Sequence, residues 1–326
     1  MKQMSFADME ISRSRKASRI SKKLDKINRI VNWEEILKIV QVVDRTSKEK
    51  GGAPHKDLLM KVKMVFLQHL YNLSDPELED QVNDRISFQR FVGADFTTTI
   101  PDFTTIWRFK ERLISEGIND ILFSKILAFI ESKNLLLKKG TIVDATIIQS
   151  SGRPLSKKKR KKLKENPSSQ IDTDASATKK RKKWYFGYKG HIGTDVGSKL
   201  IRKRKFSTAS HHDSRYTESL LSGDELAILG DSAYGNNEDK KKCRADGIFY
   251  GMLDKGTRRR ALSNAQKKQN QKKSRVRSAV EHPFAFMKEK SKYKLAVAKT
   301  ESRNRFRFDM NCILYNIFRA SFLLGK

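Results

Sequence analysis

Residues 140–148 read Gly-Thr-Ile-Val-Asp-Ala-Thr-Ile-Ile, a continuous run of β-formers with one acid in its middle, and no other stretch restricts the fold as tightly. Bounded by Gly140 and the polar Gln149-Ser150-Ser151, such a run predicts a strand buried on both faces. Asp144 is out of place there. A carboxylate in a buried strand costs several kcal/mol of desolvation unless a cation, a metal or a hydrogen-bond network compensates it. Either Asp144 ends the strand or meets a buried arginine, or its partners lie elsewhere in the chain.

Two later stretches supply candidate partners. Residues 227–235, Ala-Ile-Leu-Gly-Asp-Ser-Ala-Tyr-Gly, predict a short apolar strand that delivers Asp231 at its carboxyl end, followed by a small-residue turn. That end of a strand is where open α/β sheets bind ligands, although Asp is also a common turn residue. Residues 277–288, Arg-Ser-Ala-Val-Glu-His-Pro-Phe-Ala-Phe-Met-Lys, form the third stretch. On an ideal helix Arg277 and Lys288 fall about 40° and 20° from Glu281, so acid and bases share one stripe. Pro283 interrupts this helix, which is expected either to kink there or to restart with Pro283 in its first turn, the kink being preferred.

Asp144 in Ile-Val-Asp-Ala-Thr, Asp231 in Gly-Asp-Ser-Ala-Tyr-Gly and Glu281 in Val-Glu-His-Pro-Phe resemble the three acids of DDE transposases encoded by bacterial insertion sequences. The segment 184–193, Trp-Tyr-Phe-Gly-Tyr-Lys-Gly-His-Ile-Gly, is similar to the strand between the first two acids in the insertion-sequence-five-like group. The family's third motif, Tyr-x2-Arg-x3-Glu-x6-Lys, matches at Arg277, Glu281 and Lys288 and carries Ser274 in place of the Tyr. The resemblance spans residues from about 55 to 320. It implies a ribonuclease-H-like catalytic domain, an α/β fold with a mixed sheet flanked by helices, preceded by an all-helical N-terminal domain that binds the element's ends. It also implies that Asp144, Asp231 and Glu281 are catalytic and hold two Mg2+ (or Mn2+) ions, Asp144 bridging them, at a spacing of roughly 3.5–4 Å. The implied activity is cleavage of DNA at the transposon ends and joining of the freed 3′-hydroxyl to target DNA, with Arg277 and Lys288 on the DNA backbone and a homodimer pairing the ends. An inactive DNA-binding derivative and a metal-dependent nuclease without strand transfer are the alternatives.

Composition agrees with a polyanionic partner. Lys and Arg number 69 against 37 Asp and Glu, a formal net charge of +32. Self-repulsion on that scale disfavours a compact state, and nucleic acid is the usual reason it is tolerated; a ribosome or a membrane surface would fit the bulk charge equally well. Cys243 and Cys312 lack metal-ligand spacing and are expected as free thiols in a reducing compartment. The first thirty residues hold nine bases and no apolar segment of the kind a signal peptide needs. The most apolar tail is too short to span a bilayer, so the expectation is a soluble, cytoplasmic, nucleoid-associated protein with no membrane partner.

In chain order, residues 1–50 are expected to form a basic arm without strong periodicity up to about residue 30, then a helix from Asn32 to Val43. The segment 46–54 is expected as a linker. Residues 51–137 form the helical DNA-binding domain, with five helices. The first has a buried face of Leu59, Val62, Phe66, Leu70 and Leu73, Ser74 and Glu77 cap the second, and the last is expected over 118–137. A helix-turn-helix or a simple helical hairpin would fit 87–112. The catalytic domain spans 138–326. Within it, 151–183 is expected as a disordered basic insertion that grips phosphates, with thirteen bases and three acids over 153–183. From Trp184 to Ile192 the period is two, with Trp184, Phe186, Tyr188 and Ile192 on a core face and Lys189 opposite, as a phosphate contact. His211-His212-Asp213 suggests hydrogen bonding rather than zinc, because adjacent residues rarely converge on one ion. Between Lys255 and Val280, ten bases and no acid suit the wall of a DNA channel. Phe306, Met310, Ile313, Ile317 and Phe318 form the apolar face of a last helix that packs on the sheet.

Overall fold

The computed structural model describes residues 18–43, 57–95, 97–166, 168, 170–180, 182–257 and 260–325. The chain divides into two compact units, one numbered 1–128, 290–292 and 316–326, the other 129–289 and 293–315.

The first unit is helical. Its elements are α1 (Arg19–Ile30), α2 (Trp33–Val40), α3 (Leu58–Tyr71), α4 (Asp75–Asp84), α5 (Ile86–Val92) and α6 (Phe103–Ser115), with α7 (Ile118–Ser132) closing the series. The predicted capping box is present: Ser74 N–H donates to Glu77 Oε2 at 2.7 Å while Glu77 N–H donates to Ser74 Oγ at 3.3 Å. Gly93 ends α5 in the left-handed region, at φ 85°, a conformation that favours glycine. The expected single buried face of α3 is too narrow. Met60, Met64, Val65 and Leu67 are buried as well as Val62, Phe66 and Leu70, whereas Leu59 and Leu73 are half-buried. A helix packed on several sides has no polar stripe, and even Lys61 is buried, its ammonium 5.4 Å from the centre of the Phe109 ring.

The second unit is built on a seven-stranded mixed sheet, in agreement with the expected ribonuclease-H-like fold. Its strands are β1 (Thr141–Ser150), β2 (Ser176–Lys180), β3 (Lys183–Asp195), β4 (Ile201–Thr208), β5 (Ala227–Gly230), β6 (Phe249–Met252) and β7 (Leu295–Ala296). β1 is central: it runs antiparallel to β3, from Thr141 opposite Asp195 to Gln149 opposite Gly187, and parallel to β5, from Thr141 opposite Ile228 to Val143 opposite Gly230. β6 extends the parallel side, β2 and β4 share the far edge of β3 end to end, and β7 lies beside the end of β1. The helices here are α8 (Lys157–Glu165), α9 (Asn237–Ala245), α10 (Asn264–Arg277), α11 (Glu281–Ala285) and, as far as Tyr315, α12 (Glu301–Leu324).

Four residues of the last helix's predicted face, Phe306, Met310, Ile313 and Ile317, are buried, and a residue outside that face adds a contact with the sheet. Phe308 of α12 lies over Gly190 of β3, where an added Cβ would sit 2.3 Å from the ring. Phe308 meets Phe206 at 5.6 Å between centroids, and Phe206 stacks on Tyr188 at 5.1 Å. The aromatic side of β3 is therefore core, as expected, except at Trp184, which is 66% exposed at the strand's start.

Four further expectations are corrected. The arm up to residue 30 has the helical periodicity denied to it: α1 buries Leu24, Ile27 and Ile30 at three-residue spacing. Its first seventeen residues and the expected linker lie outside the described residues. The basic insertion is not without structure, since it contains α8 and β2, the latter pairing with β3 from Ser176 opposite Gly187 to Lys180 opposite Lys183. Composition alone misled because an edge strand borrows its hydrogen bonds from a neighbour, and because Asp172 anchors the segment. That carboxylate, 5% exposed, accepts from Tyr188 Oη at 2.7 Å, Ser150 Oγ at 3.1 Å and the backbone N–H groups of Asp174 and Ala175. At Pro283 the preferred kink gives way to the other option: the α-helix ends at Arg277, a 3-10 turn covers Ser278–Val280, and α11 restarts with Pro283 as its third residue. There its missing N–H is no loss. The last expected helix of the N-terminal series also stops at Ser132 rather than 137.

Replacing Gly190 with Ala is expected to destabilise the chain by about 1–3 kcal/mol, because Phe308 must leave its place over the strand. Urea denaturation followed by tryptophan fluorescence checks this; an unchanged midpoint would show that the ring shifts freely.

Candidate active site

The parallel register of β1 and β5 places two of the predicted acids next to each other. The last paired residues are Val143 and Gly230, and the next residue on each strand is Asp144 and Asp231. Neighbouring strands lie about 4.8 Å apart. Gly230 permits the close approach, since a Cβ there would meet Met252 Sδ at 2.7 Å and Val143 Cγ2 at 2.9 Å. Each aspartate turns one oxygen onto the N–H of the following residue: Ala145 N–H donates to Asp144 Oδ1 at 2.8 Å, and Ser232 N–H to Asp231 Oδ1 at 2.7 Å.

Glu281 comes to the same region at the start of α11. Its neighbours fix it: Val280, Phe284 and Met287 are buried, and His282 Nδ1 lies 3.0 Å from Tyr315 Oη, which itself donates to the carbonyl of Lys199 at 2.7 Å. Arg277, one short turn earlier, reaches β1, where its Nη1 donates to Asp144 Oδ2 at 2.8 Å. Burial raises the Asp144 carboxyl to about 6, opposed by the Ala145 N–H and the Arg277 charge and reinforced by the charges of Glu281 and Asp231. Two acids far away in sequence thus act on Asp144 through space.

The basic residues divide. Arg277 belongs to the acid site as described. Lys288 is exposed, but beyond Ala285 the helix changes to π bonding over Phe286–Lys290, so the count at 100° per residue that aligned it with Glu281 does not hold. Lys189, expected on phosphate, is turned into the protein: its Nζ donates to the carbonyl of His211 at 2.7 Å and lies 2.9 Å from Asp213 Oδ1, with its side chain only 12% exposed.

The His211-His212-Asp213 segment hydrogen-bonds, as expected. His211 Nδ1 is 2.7 Å from Tyr216 Oη, and His212 Nδ1 is 2.7 Å from Ser214 Oγ. Sequence reasoning missed what lies behind them. His191, fully buried in β3, has Nε2 at 2.9 Å from Ser207 Oγ and Nδ1 at 3.5 Å from Tyr234 Oη, with its ring 4.5 Å from that of Tyr216. Burial lowers its pKa to about 4, and burial together with the charges of Asp213, Asp144 and Asp231 raises that of Tyr234. This neutral aromatic layer backs the acid site. The period-two pattern put His191 opposite the apolar face, which signals a strand but not a second core.

The donor chemistry fits a hard divalent cation, since the three side chains offer carboxylate oxygens only. Their present arrangement is more open than a finished cage. Among the described residues no three His, Cys, Asp or Glu side chains are grouped so as to hold an ion, and both oxygens of Asp144 are engaged.

Comparison with known proteins finds two family matches. The family described as Transposase DDE domain matches residues 136–317, and that described as Transposase domain (DUF772) matches residues 12–112. Among solved structures, the chain resembles the piggyBac transposase in its cryo-EM synaptic complex with hairpin DNA, at 10% identity and a TM-score of 0.44, over 93% of this chain and 74% of that one.

The buried His191 sets a pH dependence. Its folded pKa, about 4, lies below the ordinary 6.5, so the unfolded chain takes up the proton first as pH falls. The stability it contributes is complete above pH 6.5 and is lost between 6.5 and 4, by about 3 kcal/mol at most. The destabilisation caused by His191→Asn is therefore expected to be largest at pH 7 and to shrink towards pH 4, measured by denaturation of both proteins across that range; a pH-independent difference would refute it.

Proposed function

Because this chain belongs to the family of transposases with a DDE domain and is thus a DNA phosphoryl-transfer enzyme, we propose that Asp144, Asp231 and Glu281 are its catalytic carboxylates and that it cuts the ends of an insertion sequence and joins them to target DNA. The observation that carries this reading is the β1–β5 register, which sets Asp144 beside Asp231, together with the charge of Glu281 felt at Asp144. Magnesium or manganese bound by these carboxylates would neutralise the acids and the charge developing on the phosphate.

The chain's own groups do the rest. Water attacks the phosphorus at the element's end, the bond from phosphorus to O3′ breaks, and O3′ takes up a proton as the free 3′-hydroxyl. That hydroxyl then attacks a target phosphate, and the target's own O3′ departs. No covalent link to the protein is needed. Arg277 holds the backbone phosphate close to Asp144, and the exposed Lys288 adds a further cation. Lys189 is left out of the DNA-contacting set, because its ammonium is spent on Asp213 and His211. On the approach side, α10 carries Lys267, Lys268, Lys272 and Arg275 exposed and no acid, the polarity a DNA channel needs. Two ends must be joined in one event, which calls for two copies of the chain. Among the described residues no helix is long and apolar enough to cross a membrane.

On a labelled duplex carrying the element's end, Asp144→Asn, Asp231→Asn and Glu281→Gln are each expected to reduce cutting by about 100-fold or more with DNA retention in a gel shift unchanged. Normal cutting by any of them rejects its assignment. Supplying a pre-cleaved end separates the two steps: a chain that cuts but never joins is a nuclease.

A further inference from the structure

We infer that Arg277 is an exchangeable counter-ion of Asp144: a divalent cation must displace it, a DNA phosphate takes it up, and DNA binding and metal loading therefore favour each other. This rests on the reading of Asp144 as a metal-holding carboxylate.

Both oxygens of Asp144 are committed in the present conformation, Oδ1 to the N–H of Ala145 and Oδ2 to Nη1 of Arg277. The first partner is backbone within β1 and stays as long as the strand does. The second is a side chain and can leave, so an ion reaching Asp144 competes with Arg277 and with little else.

The grip of Arg277 is also incomplete. A guanidinium normally closes on a carboxylate with two parallel bonds. Here the Ala145 N–H has taken the second oxygen, and Nε of Arg277 is shielded from solvent without a hydrogen-bond partner among the described residues. A single bond between side chains 24% and 16% exposed, with one buried donor unsatisfied, is a weak form of this pairing. A backbone phosphodiester, with two non-bridging oxygens open to a bidentate fork, would satisfy the guanidinium better.

Position supplies that alternative. Arg277 is the last residue of α10, next to the exposed Arg275 and on the helix whose exposed bases face an incoming backbone. Moving Arg277 from Asp144 to a phosphate costs the protein one ion pair, returns one, and frees Oδ2. Free of DNA, the acid is guarded by its own arginine; on DNA it is open to metal. By linkage the coupling is reciprocal, so metal at Asp144 must also strengthen the hold on DNA.

The test uses the full chain and reads Mn2+ binding by the electron paramagnetic resonance of the free ion, with no assay of activity. Without DNA, Arg277→Gln is expected to bind Mn2+ about three- to tenfold more tightly than the unsubstituted chain. Arg275→Gln, which removes the same charge from the same helix without touching Asp144, is expected to change it by less than about twofold. A short duplex of arbitrary sequence should tighten Mn2+ binding by the unsubstituted chain, and that gain should shrink in Arg277→Gln. Equal effects of the two substitutions, or an equal gain from DNA in both proteins, overturn the inference. Arg277→Lys, which keeps the charge but can offer no fork, should fall between, and it carries the test if circular dichroism shows that Arg277→Gln does not fold. Asp144→Asn distinguishes the underlying premise: if it leaves Mn2+ binding intact, the reading of the site fails rather than the role of Arg277.

Discussion

The fold of the second unit turns on one electrostatic problem, a carboxylate held ionisable in the middle of a sheet. Asp144 sits in the central strand, and burial alone pushes its pKa well above that of a free aspartate. Two nearby groups answer that problem and two aggravate it. The N–H of Ala145, fixed in the strand, donates a hydrogen bond and Arg277 supplies a charge from the end of α10, whereas Asp231 and Glu281 add charge of the wrong sign. Two acids that worsen the burial of a third make no sense as packing, since removing either would relieve the strain. On the proposed reading they are the donor set for a cation, whose charge would offset their repulsion.

Cations in this chain fall into two populations, which bulk charge cannot separate. Some are structural: Arg204 pairs with Asp309 at 2.7 Å between side chains 7% and 2% exposed, Arg202 is buried against Asp224 and Glu225, and Lys189 is turned onto Asp213. These consume acids from the minority of 37, and Arg204–Asp309 ties the sheet to the last helix. The remaining excess is displayed on elements with hardly any core of their own, above all α10, which has no buried residue. A helix with no buried residue gains little from packing and is kept by its Ser263–Gln266 capping box and by the hydrogen bonds of Asn270 and Lys273 to Met252 and Asp254. Its charge is therefore available outward.

Much of this was legible in the sequence, and the parts that were not share a cause. The strands bearing Asp144 and Asp231, the five helices after residue 57, and the Ser74 capping box all follow from local pattern, because each is decided by residues within a few positions of one another. What escaped depends on partners distant in the chain. Lys189 was read as surface because period two says which face a side chain takes, not whether Asp213 waits on that face. The insertion was read as unstructured because its composition lacks apolar residues, yet its order comes from the edge of β3 and from Asp172 bonding Tyr188 and Ser150. Arg277 was matched to a motif, but its bond to Asp144 spans 133 residues and leaves no trace in spacing.

The break in the helix between Arg277 and Lys290 shows how a local irregularity serves a distant requirement. Had a single α-helix run through this segment, Pro283 would have removed a bond and clashed one turn back, at about 3 kcal/mol. A 3-10 turn over Ser278–Val280 allows the restart, with the backbone at Arg277, Ser278, Val280 and Glu281 all in the right-handed helical region. The tighter turn changes the angle between Arg277 and Glu281 from that of an ideal helix, and the π turn after Ala285 changes the angle between Glu281 and Lys288. Base, acid and buried anchors can then point in directions that a uniform period would not permit: Arg277 to β1, His282 to Tyr315, and Val280, Phe284 and Met287 inward. The proline, which looked like an obstacle to placing Glu281, is better understood as part of what sets the restart there, since its fixed φ is helical and only in a first turn is its missing N–H not needed.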